Sequence, residues 1–295
     1  MSEIRIDSLL PSEMATRAEY LGARKAEMPA FTTFMLAILA GAFISLGAIF
    51  ATTVSAGGMT IAAQDGSAMY ATALPYGLTR LLTGLVFCLG LILVIVGGAE
   101  LFTGNNLIVM AWASGKVSGR ALLRNWSIVY AGNFFASLAT AALMFASRQH
   151  TFGADAVGIA ALRIAAAKCS LGFTQAVALG ILCNALVCLA VWMTYSARTT
   201  IDKIASIIFP ITAFVAAGFE HSIANMYFIP YALLIKYWDA DFMSRVGEKV
   251  ANLDVLTWNR FFLNNLIPVT IGNVIGGAVF VAAIYWVIFL RQKQS

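Results

Sequence analysis

Two eight-residue stretches hold the polar side chains that are hardest to place in an otherwise apolar chain. One reads Gly98-Ala-Glu100-Leu-Phe-Thr103-Gly104-Asn105, the other Gly218-Phe-Glu220-His221-Ser-Ile-Ala224-Asn225. Both set a glutamate two residues after a glycine, and an asparagine five residues after the glutamate. Ionisable residues are expensive inside a membrane and mark functional positions there. His221 is the one imidazole inside an apolar run. An imidazole titrates near neutrality, so it could donate a hydrogen bond to an anion or exchange a proton with it. Hydrogen bonding between helices for packing alone is the competing role. His150 closes another apolar run and is expected to be solvated. Glu100 and Glu220 are read as structural acceptors for backbone N–H groups freed where the chain turns at Gly98 and Gly218. No nucleophile–base pair and no metal-ligand cluster stands out, so an enzyme is not expected, nor is a cofactor. Cys88, Cys169, Cys183 and Cys188 have no metal or redox spacing and are read as small hydrophobes without a disulfide.

The elements that must position these groups are membrane spans. Of 295 residues, 60% are hydrophobic and only 11% charged, with mean hydropathy +0.83. A soluble domain carries about 25% charged residues. Apolar windows run over 31–56, 80–112, 121–147, 170–197, 204–236 and 263–290, each long enough for the roughly 20 residues of a span. This predicts an all-α membrane protein with six transmembrane helices spanning 31–290. The second and fifth windows are too long for one straight span, and each has a polar interruption in its middle. The polar, charged first thirty residues lack a cleavable signal pattern. They are read as a cytoplasmic amphipathic helix over 1–30, lying on the membrane or against the protein, or serving as a gate or a docking site for a soluble partner. Residues 291–295 form a cytoplasmic tail. Eleven of the 19 Lys and Arg residues fall on the side of the termini, which favours cytoplasmic termini. The net charge of +5 is scattered through loops, so no nucleic-acid partner is expected.

An internal repeat relates the halves. Ala37-Ile-Leu-Ala-Gly41 matches Gly180-Ile-Leu-Cys-Asn184, the two glutamate stretches match each other, and Asn125 with Gly132-Asn133 matches Asn265 with Gly272-Asn273 at equal spacing. Three spans per half is an odd number, so the second half must be inverted. Inverted repeats meet near the bilayer midplane, where interrupted helices form substrate sites.

At these residues the sequence resembles the formate/nitrite transporter family. The segments that carry the resemblance are Gly98–Thr103, Gly180–Met193, Gly218–Met226 and Asn265–Gly277. Tyr195-Ser-Ala-Arg-Thr and the Phe-Glu-His triplet look more like the formate-channel branch than the nitrite-channel branch. The resemblance implies an aquaporin-like 3+3 inverted repeat with helices 2 and 5 broken, a homopentamer in the inner membrane, and one pore per protomer for formate and similar small monovalent anions. Nitrite or hydrosulfide are the alternative substrates. A water or glycerol channel is a third reading, against which stands the absence of Asn-Pro-Ala at either break. The resemblance further implies that His221 is the central pore residue, with Thr103 and Asn273 as its polar neighbours and Asn184 as the polar position of the fourth span. Leu101 and Phe214 would form the periplasmic constriction, and Phe87, Leu91 and Val187 the cytoplasmic one. Lys168 would attract anions at the periplasmic mouth; read without the resemblance, it is an interfacial lysine whose head snorkels to water.

Overall fold

The computed structural model describes residues 7–57, 59–62, 68–72 and 74–291. The first six residues of the expected N-terminal helix and residues 292–295 of the expected tail lie outside the described residues.

Helix α1 (Pro11–Glu27) precedes the first span, α2 (Ala30–Ser55). A hairpin of β1 (Met59–Ala62) and β2 (Ala68–Thr72) leads to α3 (Tyr76–Gly97). The chain then leaves α-helical geometry until a 3-10 turn at Gly104–Ile108, which runs into α4 (Val109–Ala113). The third span is α5 (Gly119–Ala146). After α6 (Ala156–Cys169) come α7 (Phe173–Thr194) and α8 (Thr200–Ala217). A second non-helical turn leads to α9 (Ser222–Trp238), followed by the short α10 (Ala240–Val246). The last span, α11 (Trp258–Phe289), contains π-helical turns at Phe261–Leu266 and Ile275–Ala283. Helices α2, α3, α5, α7, α8 and α11 are each long and apolar enough to cross a membrane.

Without a hydrophobic force between helices in lipid, close packing depends on small residues at the crossings. The two halves solve this in the same way. A β-carbon on Gly132 of α5 would stand 2.6 Å from Ala37 Cβ of α2, and one on Gly180 of α7 would stand 2.8 Å from the Val269 carbonyl and 3.1 Å from Gly272 Cα of α11. These positions are the ones matched in the sequence repeat. Large apolar side chains such as Phe209 (82% exposed) and Leu143 (70%) point outward, as a lipid or subunit contact requires.

One short helix takes a placement the sequence allowed, and another departs from the expectation. Helix α1 packs against the protein: Met14, Ala15, Ala18, Gly22 and Ala26 are buried, and Gly22 abuts Ala111 of α4 and Ile108. Its core is shared with Leu290 at the end of α11, which puts α1 and the end of α11 on one face. Helix α6 lies in a stretch the hydropathy pattern left as a loop, because at 14 residues with Arg163 and Lys168 it is too short and too charged for a span.

The expectation for His150 is corrected. It is fully buried, stacked on Phe145 at 5.6 Å and edge-on to Phe242 at 5.0 Å, with Nε2 2.9 Å from Asp239 Oδ2. Asp239 lies 89 residues away, so no local pattern announces the pair. Burial alone would raise the Asp239 carboxyl pKa. The bonds from His150 and the Phe242 N–H, with the Arg148 charge, outweigh burial and hold it below its ordinary value. A depressed folded value means this stabilisation is present above the unfolded pKa and is lost as pH falls through the folded one.

Two outcomes follow from the packing. Gly180→Leu should lower stability by at least ~1–3 kcal/mol, the usual cost of overpacking, read as a lower melting temperature of the solubilised protein. Below about pH 4, the ordinary range of an aspartate, the melting temperature of the wild type should fall more steeply than that of Asp239→Asn.

Candidate pore site

Each non-helical turn is held by the same constellation. Gly98 ends α3 at φ 76°, ψ 29°, and Gly218 ends α8 at φ 79°, ψ 25°, in the left-handed region that disfavours a β-carbon. Glu100 accepts from Asn105 Nδ2 at 2.7 Å and meets Lys25 Nζ at 2.8 Å. Glu220 accepts from Asn225 Nδ2 at 2.7 Å and meets Lys168 Nζ at 2.8 Å. Asn105 also donates to Asn125 Oδ1 at 2.9 Å, and Asn225 to Asn265 Oδ1 at 2.7 Å. Asn125 donates onward to the Lys25 carbonyl, and Asn265 to the Lys168 carbonyl. The repeat therefore reaches back to the helix before each half's first span: α6 is the counterpart of α1, and each supplies one lysine.

The glutamates do not accept from freed backbone N–H groups, as the sequence reading expected. A buried carboxylate needs a counter-charge first, and each glutamate takes its lysine and an asparagine amide instead, Glu220 with a second amide from Asn265 at 3.1 Å. The Glu100 and Glu220 N–H groups donate to the Leu36 and Leu179 carbonyls, and the rest of the backbone satisfaction falls to Asn133 and Asn273. Asn133 accepts from the Phe102 N–H and donates to the carbonyls of Ala37 and Glu100. Asn273 accepts from the Ser222 N–H and donates to the carbonyls of Gly180 and Glu220. Asn273 thus grips the backbone on both sides of His221 and does not bond its ring.

His221 caps α9. Its Nδ1 accepts from the Ala224 N–H at 3.1 Å, and its Nε2 lies 3.0 Å from Thr103 Oγ1. A backbone N–H can only donate, so Nδ1 is an acceptor and the neutral ring carries its proton on Nε2. That N–H donates to Thr103. The Thr103 carbonyl in turn accepts from Asn184 Nδ2 at 3.3 Å and from Cys188 Sγ. Asn184 also donates to Asn106 Oδ1 and to the Asn273 carbonyl. Its one amide thereby ties the first turn to α11.

Two cavities approach this pair from opposite faces. The first, of about 280 Å³, lies on the face of the termini and is lined by Arg17, Lys25, Glu100, Lys203, Leu91 and Leu101 among others. The second, of about 570 Å³, is lined by Arg80, Arg163, Lys168, Phe87, Phe214 and His221 among others. Phe87 and Phe214 meet edge to face at 5.7 Å, and Phe214 stacks on His221 at 5.9 Å. Thr103, Leu91, Leu101, Phe87, Phe214 and His221 are each at most 3% exposed, so a layer of buried side chains separates the cavities.

The apolar residues therefore group differently from the expectation. Phe87 sits with Phe214 beside the second cavity, while Leu91, one helical turn along α3, sits with Leu101 beside the first. The pairing of Leu101 with Phe214 fails because Leu101 occupies, in the first turn, the place that His221 occupies in the second. Val187 is buried on α7, one turn from Val191, which lines the first cavity. Lys168 is engaged by Glu220. The sequence reading gave no role to Lys25; its only signal was a lysine preceding the first span as Lys168 precedes the fourth.

Six apolar spans, a repeat that holds both turns through matching glutamate, lysine and asparagine bonds, and cavities on two sides of a buried layer define a multi-pass membrane transport protein of channel type. The family model for formate/nitrite transporters matches residues 12–287. The formate channel FocA of Escherichia coli is 44% identical over 289 residues, covering 98% of this chain and 97% of that protein. The formate channel FocA of Haemophilus influenzae is 40% identical over 276 residues, covering 92% of each. Among solved structures, a pentameric formate channel with formate bound is similar with a TM-score of 0.77 and 45% identity, covering 89% of this chain and 98% of that one. The chain belongs to the formate/nitrite transporter family.

Breaking one partner of a buried ion pair costs about 3–5 kcal/mol. Glu220→Gln should approach that loss, because Lys168 is only 15% exposed, whereas Glu100→Gln should cost less, because Lys25 is 32% exposed and can turn to water. Thermal unfolding of the purified variants would show the order, and Lys168→Met should recover part of the loss in the Glu220→Gln background.

Proposed function

We propose that this chain is a channel for formate and similar small monovalent weak-acid anions, with one path per protomer in a homopentamer of the inner membrane. The names of its relatives support the substrate, and the pentameric solved structure supports the assembly. The excess of Lys and Arg on the face of the termini supports cytoplasmic N- and C-termini. The observation that carries the reading is the buried Thr103–His221 pair, with His221 lining the second cavity and Leu101 and Gly104, of the same turn as Thr103, lining the first.

The path runs from the second cavity between Phe87 and Phe214 to the pair, then past Leu91 and Leu101 into the first cavity. An anion entering the apolar layer sheds water at a large cost. Desolvation favours the protonated acid over the carboxylate. The Nε2–H of His221 and the hydroxyl of Thr103 are the donors that compensate the carboxylate at the centre. Asn184 and Asn273 hold the two turns that carry those donors, and the Glu100 and Glu220 networks anchor the turns. Because Nδ1 is engaged by the Ala224 N–H, forming an imidazolium opens the cap of α9. Proton exchange and the start of that helix are therefore linked.

His221→Asn tests the reading. Asparagine is a favoured N-cap, so α9 keeps its cap and the variant should assemble normally. It loses a donor that can bear charge, which corresponds to about 1.5–3 kcal/mol, or tenfold and more in rate. Acid-driven formate uptake into proteoliposomes should fall by about that factor, and its dependence on pH should flatten. An unchanged pH profile in an assembled variant would remove His221 from the path. Competition by nitrite and hydrosulfide in the same vesicles separates the anions of this class.

A further inference from the structure

Buried hydroxyls inside helices commonly bond back to the carbonyl one turn earlier. Ser45 donates in this way to the Gly41 carbonyl at 2.7 Å, and Thr52 to the Ala48 carbonyl at 2.8 Å. Thr83 of α3 does not. It is 6% exposed, and its Oγ1 has no hydrogen-bond partner among the described residues. Ser137, Ser222 and Tyr231 also keep unpartnered buried hydroxyls, but of these groups only Thr83 lines either of the two cavities. Folded chains seldom leave a buried polar group unpaired. Where one borders a cavity, its partner can come from what the cavity holds.

The place of this hydroxyl is specific. Arg80, Thr83 and Phe87 follow one another at helical spacing on α3, and all three line the second cavity. Four residues of helix set Thr83 about 6 Å from Phe87 along the axis, on the side away from Leu91 and so outside the Phe87–Phe214 contact. Ala51 of α2, Leu179 of α7 and Val215 of α8 line the same cavity with apolar side chains. The fold turns this position toward a cavity in both halves. Thr83 and Lys203 stand equally far before the capping glycines Gly98 and Gly218, and Lys203 lines the first cavity. One half fills the position with an ammonium group, the other with an uncharged hydroxyl.

We propose that the Thr83 hydroxyl is a specificity-determining group: it donates a hydrogen bond to an oxygen of the anion outside the aromatic pair, and so favours oxygen acceptors over the soft sulfur of hydrosulfide. The inference rests on the anion-channel reading and deepens it by naming a group that selects among the anions. A hydroxyl donates strongly to an anionic oxygen, whereas sulfur is a weak acceptor. The bond offsets part of the desolvation cost before the anion reaches Thr103 and His221. The hydroxyl gives up no bond within the protein to make it.

The test pairs Thr83→Val, which keeps the shape and removes the hydroxyl, with Thr83→Ser, which keeps the hydroxyl. In proteoliposomes, initial uptake of formate and of nitrite should each fall about three- to tenfold in Thr83→Val, the worth of one hydrogen bond, and Thr83→Ser should stay near the wild type. Hydrosulfide should become the stronger competitor. The concentration that halves uptake of saturating formate should fall severalfold in Thr83→Val, while the corresponding nitrite concentration stays the same. The melting temperature of Thr83→Val should be unchanged or higher, since no bond within the protein is lost. Wild-type uptake of formate by Thr83→Val would overturn this inference and leave the channel reading intact. Reduced uptake with unchanged competition by hydrosulfide would overturn the selection among anions. A lower melting temperature with no rescue by Thr83→Ser would overturn the inference in favour of a structural role. Wild-type protein that moves no formate would instead remove the channel reading itself.

Discussion

The structure depends on keeping two stretches of non-helical backbone, each carrying a glutamate, within an apolar helix bundle. Backbone outside regular helix at membrane depth leaves polar groups that lipid cannot satisfy. Here the problem is met partly by backbone carbonyls of the neighbouring span, Leu36 for the Glu100 N–H and Leu179 for the Glu220 N–H, and otherwise by side chains. A lysine from the preceding short helix balances the carboxylate. One asparagine bridges carboxylate and span, and another grips the backbone on either side of the turn. Without these bonds neither Thr103 nor His221 has a fixed position, and the bond between them has no basis.

The network also explains why α1 and α6 exist. Each is too polar or too short to cross a membrane, and each lies against the half it precedes. The lysine at the end of each helix points its ammonium group at the carboxylate, while its carbonyl accepts from the asparagine of the third span. The structural repeat is therefore four elements long in each half, one more than the spans alone indicate.

The two halves are alike in support and unlike in what they present. Where the first turn offers Leu101, the second offers His221; where the first offers Thr103, the second offers Ile223. The centre consequently receives one imidazole and one hydroxyl from opposite turns, rather than two of either. A symmetric scaffold thus produces an asymmetric site, with aromatic rings on one side of the polar pair and leucines on the other.

The apolar windows and the count of spans were legible in the sequence, because lipid imposes length and hydropathy on each segment separately. The two turns were legible as well, since glycine, glutamate and asparagine are costly at that depth and recur at one spacing. What the glutamates bond to was not, because Lys25 and Lys168 stand 75 and 52 residues from their partners and a lone lysine beside a span reads as interfacial. The buried pair of His150 and Asp239 was hidden for the same reason. Helix α6 was missed because no hydropathy threshold separates a short, charged helix from a loop. Which apolar residues face each other across the path was decided only by the tertiary structure: Leu91 and Phe87 are one turn apart on the same helix face, and only the arrival of Leu101 from one turn and Phe214 from α8 assigns each to a different cavity.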